Sequence, residues 1–251
     1  MPTEKATAVV LRTVEFSETS LVVTLFTREF GKIGALAKGA RRPKAPFDSA
    51  LDVLTLCRIV FLHKSSEALD LLTEAKLLRR FRPAGRDLSS LYAGYYVAEL
   101  LRDLTDDCDP HPELFDLADE TLEALAAGEA VSRRVVRFEL GALRLLGHLP
   151  SLGCCVECSV PVQSTGRVAF GELDGGVLCE SCRKGRKQVV SVSGGTLRTM
   201  TRLADPEAEA WRRIEIGSPT LAEIRGVLNR YLTNLLGRRP RMHAYLVGGH
   251  A

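Results

Sequence analysis

Two cysteine pairs, Cys155-x2-Cys158 and Cys179-x2-Cys182, constrain this chain more than any other feature. Each C-x-x-C turn presents two thiolates on one side. Two such turns, separated here by 20 residues, match a tetrahedral zinc site with four sulfur ligands. The intervening chain contains Gly166, Gly171, Gly175 and Gly176. Gly175-Gly176 supplies positive-φ freedom for a hairpin turn just before the second knuckle. A zinc ribbon over residues 153–187 follows. Four thiolates leave the metal no open position, so such a site is structural. The ion would stabilise a segment of about 30 residues that is too small for its own core.

Other uses of the cysteines fit less well. A redox C-x-x-C needs one pair near a βαβ pattern, and here two pairs lie beside helical stretches. A zinc deaminase needs H-x-E and P-C-x-x-C, but His63 is followed by Lys64 and Ser65 and neither knuckle begins with Pro-Cys. Cys154 adjoins Cys155 and leaves a C-x3-C spacing as an alternative for the first ligand. Because C-x-x-C is the commoner knuckle, Cys155 is the favoured ligand. Cys57 and Cys108 read as bystanders, and His148 as a structural or solvated helix-end histidine.

The 251 residues suffice for one large or two to three small domains. No apolar run approaches the roughly 20 residues of a membrane helix. The first residues, with Glu4 and Glu15, lack the apolar stretch of a secretory signal. A cytoplasmic location is expected, where cysteines stay reduced or bind metal and disulfides are disfavoured.

Residues 7–14, 20–27, 32–38, 51–62 and 68–78 are rich in β-branched and apolar residues and read as five strands. The segments 28–31 and 63–67 are hairpin-sized gaps. The connection 39–50 is Pro-interrupted and reads as a loop. Five strands with a long third connection fit a small oligonucleotide-binding (OB) barrel over residues 1–80. Helical periodicity follows over 87–104, 112–128 and 132–149, then over 193–204, 206–216 and 218–237. Asp87 is suited to cap the first helix, Ser218-Pro219 to open the last, and Gly128 to follow the second. The expected architecture is multidomain α+β. It has an OB-fold β-barrel, a helical domain over 83–152 and 188–247, and the four-cysteine ribbon inserted in it.

Charge is unevenly distributed. Residues 28–44 contain Arg28, Lys32, Lys38, Arg41, Arg42 and Lys44 against Glu29, and residues 99–129 hold eleven acids against Arg102. A second basic run, RKGRK, spans 183–187. The loop LAKGARRPKAPF (36–47) leaves the third strand near the binding face of an OB fold. Its Lys38, Arg41, Arg42 and Lys44 suit phosphate neutralisation with counterion release. Aromatic partners are sparse (Phe16, Phe26, Phe30, Phe47), which favours backbone-led, sequence-tolerant binding over base stacking. Gly34-Ala35-Leu36-Ala37-Lys38-Gly39 begins like a P-loop, but Ala40 stands where the lysine is required. No catalytic constellation is present, and the chain is expected not to be an enzyme.

The stretch VVLRTVEFSETSLVVTLFTREFGKIGALAKGARRPK (9–44), the pair at 155 and 158, and GGVLCESC (175–182) together resemble the RecO family of bacterial recombination mediators. The resemblance covers essentially the whole chain, and the domain order fits. It implies binding of single- and double-stranded DNA and annealing of complementary strands without ATP or another nucleotide cofactor. It also implies action with RecR to load RecA onto DNA coated by single-strand-binding protein (SSB), contact with the acidic SSB C-terminal tail, and a nucleoid-associated cytoplasmic location. By match to the family, Lys38, Arg41, Arg42 and Lys44 would be DNA contacts, together with Arg12, Arg28 and Lys32. Zn2+ would be held by Cys155, Cys158, Cys179 and Cys182. A basic-rimmed groove near Arg133, Arg134, Arg137 or Arg144 would receive the SSB tail. The rival reading is a zinc-ribbon adaptor for protein partners in which the basic loop binds no DNA. A zinc-dependent hydrolase would need an open metal position.

Overall fold

The computed structural model describes residues 2–47, 49–64, 68–205 and 209–247. Parts of the expected 39–50 loop (residue 48), of the 63–67 gap (65–67) and of the 206–216 helix (206–208) lie outside the described residues, as do the chain's last four. Two compact units emerge. One comprises the N-terminal 131 residues with the segment from Ala244 onward, and the other spans Ser132–His243.

In the first unit, five strands run Thr3–Glu15 (β1), Leu21–Thr27 (β2), Gly31–Ala37 (β3), Leu56–Leu62 (β4) and Asp70–Arg79 (β5). They close in the order β1-β2-β3-β5-β4. Every neighbouring pair is antiparallel except β3 with β5, which is parallel. Closure removes unpaired edges. Period-2 alternation builds the interior, as β3 shows with buried and half-buried residues in strict succession. Val10, Val23, Leu25, Ile33, Ile59, Phe61 and Leu72 fill it, and Phe47 and Leu51 of the long connection pack on the same core. Where described, that connection holds turns and no helix or strand, as its prolines predict.

Helices Leu88–Leu104 (α1) and Pro112–Ala126 (α2) belong to this unit. In sequence they open the stretch 83–152, expected to form one helical domain with 188–247. Long-range pairing accounts for the grouping. Phe26 stacks on Phe115 with centroids 6.2 Å apart. Arg28 makes two bonds, of 2.8 and 3.0 Å, to Asp116, and Arg79 pairs with Asp119 and Glu123. Gly94 lies where a Cβ would come 2.7 Å from the Phe81 ring. Asp87 caps α1 by accepting from the Ser89 and Ser90 amides at 3.0 and 3.1 Å. Its carboxyl is held below the usual range, foremost by the Ser90 hydroxyl.

The second unit contains Val131–Leu145 (α3), whose first residue falls in the other unit, and strands Arg167–Gly171 (β6), Gly176–Leu178 (β7) and Val189–Ser193 (β8). Helices Gly194–Ala204 (α4) and Ser218–Leu236 (α5) complete it, and a short helix His243–Val247 (α6) ends the described chain. The sheet order is β7-β6-β8, all antiparallel. β6 and β7 form the hairpin expected between the knuckles. β8 is an addition: VVSVS alternates as a strand inside the stretch 188–247, which is expected to belong to the helical domain. The expected 206–216 helix is a 3-10 segment, Glu209–Arg213, where described. The cap of α5 is Gly217, one residue ahead of Ser218. α5 is tied down by Arg225 to buried Glu139 (2.6 Å), Arg230 to Glu172 (2.6 Å) and Glu223 to Ser193 and Thr196.

Candidate nucleic-acid interface and metal centre

The four sulfurs of Cys155, Cys158, Cys179 and Cys182 lie within 4.8 Å of one another. The Sγ atoms of Cys158 and Cys179 are 3.8 Å apart, far beyond a disulfide. This equals the edge of a tetrahedron with ligands about 2.3 Å from its centre, roughly 3.8 Å, as in a zinc–thiolate site. Two turns build the cluster. Ser159 N donates to Cys155 O (2.8 Å), and Arg183 N to Cys179 O (3.0 Å). Gly175, at φ 75°, closes the turn, and Gly176 passes so near Ser151 that a Cβ would lie 2.8 Å from its Cβ. Amide donors lower the Cys155 thiol to about 6, those of Cys179 and Cys158 first, whereas hydrogen bonding within the sulfur cluster, led by Cys179, pushes Cys182 up to about 12. A cation relieves the repulsion among four such thiolates. These four cysteines can hold a metal ion.

Cys154 stands outside the cluster. It is exposed, its carbonyl accepts the Ser151 hydroxyl at 2.6 Å, and it bridges to Pro161. Cys57 is buried in the barrel, its thiol raised to about 12 by burial. Cys108 is exposed in the first unit. The His148 carbonyl accepts the Tyr231 hydroxyl at 2.7 Å.

The predicted cations divide into two sets. Lys38, Arg41, Arg42 and Lys44 are all exposed on the turns after β3. Gly39, at φ 68°, starts the first turn, and Arg42 N donates to its carbonyl at 2.9 Å. Lys44 also adopts positive φ (62°). Arg41 pairs with Glu15 at 3.1 Å, whereas Lys38, Arg42 and Lys44 have no ion pair among the described residues. Arg12 is exposed at a β-bulge in β1, likewise without an ion pair among the described residues.

Arg28 and Lys32, which the family resemblance implies as DNA contacts, are engaged inside the first unit. Arg28 is bound to Asp116, which raises its already high pKa through that hydrogen bond. The Lys32 side chain is 13% exposed; its Nζ donates to the Arg102 and Thr105 carbonyls and pairs with Asp107 at 3.4 Å. The acidic segment therefore partly neutralises its own unit. Arg134 and Arg137, expected near a basic-rimmed groove, pack on Trp211. They are buried, 4.6 and 5.2 Å from the Trp211 ring centre. Arg133 donates to the Arg212 carbonyl at 2.9 Å and Arg144 is half-buried.

Sequence reasoning passed over Lys5, Arg58 and Lys76, exposed cations on β1, β4 and β5. The available signal was a lone cation inside an otherwise apolar alternating strand, as Arg58 is in LCRIVFL.

A closed five-stranded unit with a cationic loop, followed by a helical unit carrying a four-cysteine ribbon, defines a class of α+β proteins with one cysteine cluster able to hold a metal ion. The comparisons narrow it. The family model "Recombination protein O N terminal" matches residues 1–81, and "Recombination protein O C terminal" matches 85–243. The DNA repair protein RecO of Rhodopirellula baltica is 42% identical over 262 residues, covering 95% of this chain and 97% of its own length. Those of Anaeromyxobacter dehalogenans (37%, covering 98% and 96%) and Moorella thermoacetica (31%, covering 98% and 91%) are similarly coextensive. The chain belongs to the RecO family. Among the described residues, no helix is long and apolar enough to cross a membrane.

Proposed function

We propose that this protein is a recombinational DNA repair mediator, not an enzyme, that binds single- and double-stranded DNA and anneals complementary strands without ATP. With RecR it would promote RecA loading onto SSB-coated single strands. The observation that carries the reading is the exposed Lys38, Arg42 and Lys44 on the turns after β3 in a chain of this family. The barrel order, with its long connection after β3, supports an OB fold. Cations on that loop neutralise phosphates and release counterions. Two strands neutralised together repel less and meet at higher local concentration, which accelerates annealing.

The metal in this reading is Zn2+, held by Cys155, Cys158, Cys179 and Cys182; its part is to fix the ribbon. Sulfur spacing of 3.8 Å supports it.

The test replaces Lys38, Arg41, Arg42 and Lys44 together by Glu and measures fluorescence anisotropy with a labelled single strand, then annealing. Loss of both with metal content unchanged is expected. Unchanged affinity would overturn the assignment and leave the adaptor reading.

A further inference from the structure

The outer face of β1, β4 and β5 carries a groove of about 630 Å³ lined by Lys5, Arg58 and Lys76. Register fixes their arrangement. Arg58 pairs directly with Lys76, and Lys5 with Val60, two residues along β4 from Arg58. The α-carbons of Arg58 and Lys76 are therefore about 5 Å apart, and Lys5 lies diagonally about 7–8 Å from Arg58. Like charges directly opposite in a sheet are destabilising. Glu74, opposite Val60 and so diagonal to Arg58, offsets them only in part. Glu74 is the one acid lining the groove, and no ion pair joins it, Lys5, Arg58 or Lys76 to any group among the described residues. Arg28, Lys32 and Arg79 of the same unit, by contrast, are matched with acids of α2 and of the turn before it.

We propose that this groove binds the phosphate backbone of a second nucleic-acid strand. The proposal rests on the DNA-binding reading above and deepens it. Three facts select a nucleic-acid backbone over an acidic peptide or a small anion. The groove crosses three strands, each of which contributes a cation. No aromatic ring lines it, so phosphates and not bases are the complement. Its rim is formed by Ala45 and Pro46, the continuation of the loop bearing Lys38–Lys44, pinned there by Ala75 N to Pro46 O at 3.1 Å. The loop holds one strand and the groove the other. A bound backbone also neutralises the Arg58–Lys76 repulsion, which explains why the fold keeps it.

The experiment uses the full-length, metal-loaded protein and two short thymine homopolymers carrying a donor and an acceptor dye. They cannot anneal, so energy transfer between them reports two strands on one protein. Wild type is expected to give transfer. The variant Lys5→Gln/Arg58→Gln/Lys76→Gln is expected to lose it while binding one strand within about twofold of wild type. Loss of three phosphate contacts should lower the log–log salt slope of second-strand binding by about 2. A single variant, Lys76→Glu, guards against misfolding. It places a carboxylate opposite Arg58, so its Tm should rise while transfer falls. Persistent transfer in the triple variant overturns the groove alone. So does a triple variant that weakens the first strand as much as the loop variant does, because the groove would then extend a single footprint. Displacement of the second strand by polyglutamate at equal charge concentration, absent from the triple variant, would make an acidic peptide the occupant and also overturn it. If wild type binds no strand at all, the DNA reading falls and the groove with it.

Discussion

The Nζ of Lys32 donates to the carbonyl oxygen of Thr105 at 2.5 Å, joining β3 to the residue that ends α1. The same ammonium donates to the Arg102 carbonyl at 2.8 Å. The last carbonyls of a helix carry partial negative charge and have no partner within it. Lys32 serves as a C-terminal cap supplied from the barrel. Replacing it by Met should cost about 2–3 kcal/mol, the range of charge-assisted hydrogen bonds lost with their acceptors left short of donors. Urea denaturation would show the loss as a lower midpoint. Strand affinity of the folded variant should stay near wild type, in contrast to Lys38→Met.

Arg41 is the one member of the exposed loop set held by a carboxylate, that of Glu15. Both side chains are well exposed (45% and 72%), so the pair contributes little to stability. Glu15→Gln should leave Tm unchanged and release Arg41 toward phosphate, raising single-strand affinity about two- to threefold at low salt and less as salt screens the site. Anisotropy titrations at two salt concentrations check this. An affinity that falls would place Arg41 outside the interface.

His243 is buried, and Arg239 donates to its Nδ1 at 2.9 Å, which leaves the proton on Nε2 and the ring neutral. Burial first, then Arg225 and Arg239, lowers its pKa to about 4. An unfolded histidine titrates near 6.5. The folded group binds its proton less readily than the unfolded one, so stability is fully present above pH 6.5 and is lost as pH falls toward 4. The loss at pH 5 is about 2 kcal/mol by linkage. His243→Gln should remove this part of the pH dependence. Urea midpoints at pH 7 and pH 5 for both proteins test it.

The strands were legible because a closed barrel with one buried face imposes strict alternation, and the metal site because four sulfur ligands impose a spacing. What joins distant segments was not legible. The turn glycine Gly31 could be read from its sequence; its φ is 68°, and a Cβ there would lie 2.0 Å from the Asp109 carbonyl, 78 residues away. The charge that suits Arg28 to phosphate also binds it to Asp116, 88 positions on. Local charge does not reveal which partner the fold will bring. The parallel pairing of β3 with β5 and the facing of Arg58 by Lys76 are likewise products of closure.

Neighbouring cysteines 154 and 155 give the metal centre a sharp test. Cys155 is buried with its sulfur in the cluster, whereas Cys154 is exposed and outside it. Cys154→Ser should leave one metal ion per chain. Cys155→Ser removes one of four ligands, and a thiolate site stripped to three binds its ion far more weakly. The ribbon has a three-stranded sheet but little core of its own, with Val168, Phe170, Val177, Leu178 and Val192 the buried apolar residues of that sheet. Without the ion it should open, because metal binding supplies folding energy in such segments. Elemental analysis after gel filtration gives the stoichiometry. Cobalt substitution should add a thiolate-to-metal charge-transfer band in wild type and in Cys154→Ser, and not in Cys155→Ser. Limited proteolysis should cut Cys155→Ser and chelator-treated wild type within 153–187 while sparing Cys154→Ser. Equal metal loss in the two serine variants would mean that Cys154 takes part in the site.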